Sequence, residues 1–323
     1  MEVMTDTTAA VLRYTAFTTD PAGGNPAGIV LDAAGMDEPA MLAVAAEVGY
    51  SETAFVTARD DLRRRFTLRY FSPRAEVAFC GHATVATAVA LAERIGPGPL
   101  LFDTPAGEIP VDTASTPETG DPGETGETGD AGDTGDTGDT GDTGDTALTA
   151  TLTSVPTRSR PATQDELTAL LAALDWRPED LDPALPPHIA FGGVQHPVLA
   201  AATRERLAAL DYDFPALAEL MRRHDWTTVQ LIRREAADLF HARDPFPVGG
   251  VVEDPATGAA AAALGGYLRT LGELPPPAPG GNGPAAVITV RQGEDMGRPS
   301  LLTVTVDPAD PRVRVSGRAV ALR

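Results

Sequence analysis

Three ionisable residues stand at the starts of predicted elements and have the chemistry to move protons. Glu52, in SETAFV (51–56), opens an apolar strand directly after a helix predicted over 41–48. His82 occupies the first turn of a helix of small residues, CGHATVATAVALAE (80–93). Asp254 precedes Pro255 and leads into a second such helix, DPATGAAAAALGGYL (254–268). Two carboxyls and an imidazole are side chains that serve as general acids and bases. Each also has a plainer reading: a carboxylate at a loop end, a capping histidine, a turn-forming or capping aspartate. Glu253, beside Asp254, could fill the same role.

The two helices that would position these groups share one design. Each follows an apolar stretch (77–79 and 248–252) and passes through a glycine-containing turn into small side chains. Setting Gly81 on Gly258 places His82 on Ala259 and Leu91 on Leu268. Helices so poor in large side chains can be approached closely from every direction, which predicts that each runs through the middle of a wrapped sheet. Glycine lets a ligand approach the backbone, and a helix N-terminus offers unpaired N–H groups with partial positive charge. Two such ends, one from each half, would form a small anion-binding pocket suited to a carboxylate.

Composition removes several other chemistries. All 25 basic residues are Arg, so Schiff-base lysines, pyridoxal phosphate and lysine-dependent phosphate loops are excluded. A single Cys excludes an intrachain disulfide, a Cys-rich zinc site and any two-thiol mechanism. The residue matching Cys80 in the second helix is Thr257, so Cys80 reads as a small buried hydrophobe. His188, His196, His224 and His241 show no paired ligand spacing, and no metal is expected. A net charge of −21 opposes nucleic-acid binding, and LRRRF (62–66) is too short a basic run to change that. With an acidic start and no apolar run of membrane-spanning length, the expectation is a cytoplasmic protein.

Strands recur in both halves with a helix embedded among them, an α+β pattern. From Gly120 to Thr146 the chain is a run of Gly-led acidic triplets, poor in proline, which reads as a solvated, self-repelling loop grown from a hairpin. The expected division is a flexible tail (1–10), a first domain (11–155) carrying a disordered acidic insert (114–147), and a second domain (156–323). Helices are predicted at 164–174, 200–210 and 215–224, and strands at 228–233, 286–291, 301–306 and 312–315. PPPAPGGNGP (275–284) reads as an exposed loop.

Taken in order, the motifs resemble the phenazine-biosynthesis PhzF-like isomerase family, which has the diaminopimelate-epimerase fold. The resemblance runs through FTTDPAGGNPAGIVLDAAGM (17–36), EVGYSETAFV (47–56), RYFSPRAEVAFCGHATVATAVAL (69–91), VVEDPATGAAAAALGGYL (251–268) and VRQGEDMGRPS (290–300). It implies two pseudo-symmetric domains, each a curved, mostly antiparallel sheet or barrel around a central helix, with the active site between them. It further implies a homodimer, no cofactor, and a small carboxylate-bearing substrate such as trans-2,3-dihydro-3-hydroxyanthranilate, isomerised by moving a proton. By the same resemblance Glu52 is the acid/base, His82 and Asp254 are its partners, and backbone amides of Gly81, His82, Gly258 and Ala259 bind the carboxylate. One departure is Ala259, where the family motif has Ser: the hydroxyl is lost and the amide retained. A catalytically silent binding protein and an amino-acid racemase or epimerase are the alternatives; the lone thiol disfavours the racemase. The role of Arg298, a structural ion pair or a carboxylate clamp, is open at this stage.

Overall fold

The structure, a computed structural model, describes residues 10–117, 146–277 and 283–323. The first half runs through β1 (Val11–Ala16), β2 (Asn25–Val30), α1 (Glu38–Val48), β3 (Glu52–Asp60), β4 (Arg65–Phe71), a short β5 (Glu76–Val77), α2 (Gly81–Ile95), β6 (Gly98–Thr104), β7 (Gly107–Pro117) and β8 (Thr146–Thr153). The second runs through β9 (Arg158–Pro161), α3 (Gln164–Leu174), β10 (His188–Phe191), β11 (Gln195–Ala200), α4 (Arg204–Ala208), α5 (Phe214–His224), β12 (Gln230–Ala236), β13 (Leu239–Pro245), a short β14 (Glu253–Asp254), α6 (Gly258–Leu271), β15 (Ala286–Gln292), β16 (Ser300–Val306) and β17 (Val313–Ala321).

In the first half, β1, β2, β3, β4, β6, β7, β8 and β17 pair in that order, and β17 returns to β1, closing a barrel. The second half repeats the plan over β9, β10, β11, β12, β13, β15, β16 and β17. Its two edges approach where the Thr157 amide donates to the Pro311 carbonyl at 2.8 Å. The parallel pairs recur at matching places, β2/β3 and β4/β6 against β11/β12 and β13/β15. This is the two-part α+β architecture that the sequence predicts.

α2 and α6 fill the two wraps. Every residue of α2 from His82 to Ala92 is buried, and in α6 all of Ala260 to Leu268. Small residues are required there by contact. A β-carbon on Gly265 would lie 2.8 Å from Val306, one on Gly266 2.4 Å from Thr157, and one on Gly192 2.3 Å from the Ala259 carbonyl. The larger apolar side chains around α2 and α6 come mostly from the strands, among them Phe66, Tyr70, Phe102 and Phe240. Leu170, Leu174, Leu217, Met221, Trp226 and Leu231 form a second core where α3 and α5 cover the outside of the sheet.

Four local readings change. The helix expected over 200–210 shrinks to α4, because Ala200 is drawn into β11 beside β12 and Thr203 then caps the next turn through its hydroxyl. Residues 114–117 and 146–147, assigned to the insert, extend the β7/β8 hairpin; 118–145 lie outside the described residues, as do 1–9 and 278–282. The strand expected over 312–315 continues to Ala321 and crosses back to pair with β8 and β1, so the last strand serves both halves. The apolar stretches 77–79 and 248–252 form no longer strand, and each small-residue helix is preceded by a strand of only two residues, β5 and β14. Among the described residues no helix is long and apolar enough to cross a membrane.

The continuation of β17 depends on Gly317. Phe17 sits at the end of β1 with φ of 64°, fully buried, its amide bonded to the Arg318 carbonyl and its carbonyl to the Leu301 amide. A bulky residue in the left-handed region is strained, so its surroundings must hold it there. A β-carbon on Gly317 would lie 2.2 Å from the Phe17 ring. Gly317→Ala is therefore expected to lower unfolding free energy by about 1–3 kcal/mol in urea titrations, with partial recovery when Phe17→Leu is added. An unchanged midpoint would show that Phe17 has room to move.

Candidate active site

The N-terminal turns of α2 and α6 meet in the cleft between the halves. A β-carbon on Gly81 would lie 3.9 Å from the Gly258 α-carbon. The other four α-helices described are closed by side chains: Asp37, Thr163, Thr203 and Asp213 each accept a hydrogen bond from a first-turn amide. Cys80 and Thr257, at the starts of α2 and α6, make no such capping bond. Two uncapped helix ends, each with partial positive charge, thus face one cavity of about 440 Å³.

That cavity brings together all six residues singled out from the sequence: Glu52, Gly81, His82, Asp254, Gly258 and Ala259. Glu52 is the first residue of β3, and its Oε2 lies 3.5 Å from His82 Nε2. Ser51 Oγ approaches the same imidazole nitrogen at 3.4 Å. Asp254 comes from the other half, on β14. Its Oδ1 accepts from Asn25 Nδ2 at 2.8 Å and its Oδ2 from the Thr257 hydroxyl at 2.6 Å. Gln292 clamps the turn, donating to the Asp254 carbonyl at 2.8 Å and accepting from the Thr257 amide at 3.1 Å.

Burial pushes the Asp254 carboxyl up from an ordinary value of 3.8 to about 6, and nearby Glu52 adds to the rise. His82 and the hydroxyl and amide donors of Thr257 and Asn25 pull the other way. The neighbouring acid is differently employed. Glu253 forms a buried two-point pair with Arg243 at 3.0 and 2.6 Å, so of the two it is Asp254 that faces the cavity. Arg298 is structural: it donates to the Gly24 and Gly23 carbonyls at 2.8 and 2.6 Å. In LRRRF, Arg63 and Arg65 pair with Asp60 and Asp103, while Arg64 holds the carbonyls of Gly96 and Pro99.

Cys80 is a buried member of the main core, as the sequence reading has it, and it also has polar neighbours. Its Sγ lies 3.5 Å from Glu52 Oε2 and 3.4 Å from His82 Nδ1, so it belongs to the polar cluster as well. Burial, and then the neighbouring Glu52, push the thiol well up, which keeps it protonated and weakens it as a nucleophile or ligand. Glu52, Cys80 and His82 are also, among the described residues, the group whose donor atoms lie close enough to share a metal ion, within 4.8 Å of one another. Asn25, Thr257 and Gln292 were missed as site residues. Asn25 stands in GGNPAG, a turn whose only sequence signal was its place in a recognised motif.

Comparison with known proteins places the chain in a family. The PhzC-PhzF family, described as phenazine biosynthesis-like protein, matches residues 14–323. The chain belongs to that family. An uncharacterized isomerase of Deinococcus radiodurans is 32% identical, over 95% of this chain and 90% of its own length. The uncharacterized isomerase YfhB of Bacillus subtilis is 28% identical, over 97% and 96% respectively. In fold, the PhzF-family phenazine biosynthesis protein of Bacillus anthracis superposes with a TM-score of 0.75 at 24% identity, covering 97% of this chain and 96% of that one. The protein is thus an enzyme of the isomerase class.

Asp254 makes a measurable prediction. Below pH 3.8 folded and unfolded chains both carry its proton; between 3.8 and about 6 the unfolded chain ionises first, so stability falls, and it levels off above. The unfolding free energy of the wild type minus that of Asp254→Asn is expected to drop by up to about 3 kcal/mol from pH 4 to pH 7. A difference that is flat or rises with pH would show that the carboxyl is not desolvated in the folded protein.

Proposed function

We propose that this PhzF-family enzyme is a cofactor-independent isomerase that moves a proton on a small, unsaturated, carboxylate-bearing ring. The observation that carries the reading is the pair of uncapped helix N-termini facing Glu52 in one cavity. A substrate carboxylate placed at Gly81 and Gly258 would accept from the amides of Gly81, His82, Gly258 and Ala259 and gain from both helix dipoles. Ala259 contributes only its amide there, so the ring this enzyme accepts need offer no partner for a serine hydroxyl.

In this reading the Glu52 carboxylate removes a proton from a carbon next to the conjugated system. The C–H bonding electrons enter that system, and the new Glu52 carboxyl returns the proton to another carbon of the same ring. Nothing is oxidised or reduced, and one group serves both steps because it reaches both carbons. His82, 3.5 Å from Glu52, and Asp254, held by Asn25 and Thr257, take the amino or hydroxyl substituents and share charge as it develops. The Cys80 thiol donates to Glu52 Oε2. That bond orients the carboxylate without adding a charge.

trans-2,3-Dihydro-3-hydroxyanthranilate is the first substrate to offer. In heavy water the wild type is expected to abolish the diene absorbance and incorporate deuterium on ring carbon, by NMR. Glu52→Gln should fold and bind as the wild type does and lose at least about a hundredfold in rate. A Glu52→Gln protein that keeps more than about a tenth of the wild-type rate would remove Glu52 from the role, since a shuttling base is worth far more than that.

A further inference from the structure

His196, set aside in the sequence for want of a ligand partner, lines the same cavity from the second half. It is fully buried on β11, and its Nδ1 lies 2.8 Å from Thr228 Oγ1. The Thr228 hydroxyl donates to Asp244 Oδ1 at 2.8 Å, which leaves its lone pair for an Nδ1–H. The relay therefore sets the tautomer, with the proton on Nδ1 and a bare Nε2. That Nε2 has no hydrogen-bond partner, an unusual condition for a polar atom so thoroughly buried.

The relay is neutral throughout, with the Asp244 proton on Oδ2, which has no partner, so that Oδ1 still accepts from Thr228. Burial pulls His196 down to about 4, and burial also pushes Asp244 well up, with Asp254 and Glu253 adding to the rise. A second unpaired group lies alongside: Gln230, two residues beyond Thr228 and fully buried, has neither amide atom bonded. Unpaired acceptors in an apolar wall are poor hosts for an anion and good hosts for an O–H or N–H group. Of these two groups it is His196 that lines the same space as the helix ends.

We infer that His196 Nε2 is a specificity group of the cleft, accepting a hydrogen bond from a hydroxyl or amine N–H on a ring whose carboxylate sits at the helix N-termini. Thr228 and Asp244 act through it as positioning residues. The inference rests on the carboxylate-ring reading above and deepens it: the ligand must carry a neutral donor as well as an anion. The proposed proton shuttle has no part in it, so binding alone tests it.

The probes are 3-hydroxyanthranilate, which adds an amine and a hydroxyl to a ring carboxylate, and benzoate, which lacks both. By calorimetry His196→Leu is expected to weaken 3-hydroxyanthranilate about tenfold, the scale of one hydrogen bond in a desolvated wall, and to leave benzoate within about twofold. Thr228→Val, nearly the same shape, should act in the same direction but less, and it keeps the test open if the leucine variant misfolds. In nitrogen-15-labelled wild type, the His196 Nε2 resonance should be that of an unprotonated ring nitrogen and should move with 3-hydroxyanthranilate but not with benzoate. Equal weakening of both probes, no weakening, a protonated Nε2, or a wild type that binds neither probe overturns the inference. Failure of the shuttle assignment, Glu52→Gln still turning over, would leave these binding results standing and so be distinguished from it.

Discussion

The positive ends of α2 and α6 point at each other across one small space, and that arrangement is unfavourable until something negative occupies it. The rest of the molecule answers this constraint. Both helix starts lack side-chain caps, whereas the other helices have them, so the amides remain available. The Glu52 and Asp254 carboxyls border the space. Because the helices must reach the centre of two wrapped sheets, they are built from side chains small enough for strands to pass within contact distance. Gly265, Gly266 and Gly192 mark the tightest passages.

Holding the two ends in register needs connections between halves. β17 supplies the largest, pairing with β16 of the second half and with β8 and β1 of the first. Arg298 ties the second half to the carbonyls of the Gly23–Gly24 turn. Asn25, two residues from Gly23, then reaches across to Asp254 and the Ala256 carbonyl. The strained Phe17 lies at the same crossing, its ring close to both Gly317 and Gly258. Most of the polar chemistry of the cleft therefore sits where the halves are stitched together. Its geometry is a property of the joint and of neither half alone.

Much of this was legible beforehand. The small-residue helices with glycine at their starts announced both the embedded helices and the meeting of their N-terminal ends at one cleft. Glu52, His82 and Asp254 each stood at the beginning of an element, where an end-on group reaches into a cleft. The five-residue α4 and the long β17 were misjudged for opposite reasons. A run of helix formers at 200–210 was overruled by sheet pairing at Ala200, and Gly317 hid a strand whose geometry it makes possible. Cys80 was read as an apolar filler alone, because burial and chemistry look alike for a lone thiol. His196 had no neighbour in sequence, since its partners Thr228 and Asp244 arrive from other strands.

By itself the sequence determined the α+β class, the repeated helix design, the absence of lysine chemistry, and which residues open the elements at the cleft. These follow from composition, periodicity and turn residues, which act over a few positions of chain. Only the tertiary structure decided which carboxyl of the Glu253–Asp254 pair faces the cavity, that Cys80 joins Glu52 and His82, and that His196 keeps an unpaired nitrogen at the same cavity. Such facts depend on contacts between distant segments, Asn25 and Asp254 being 229 residues apart, and no local rule of spacing carries across that distance.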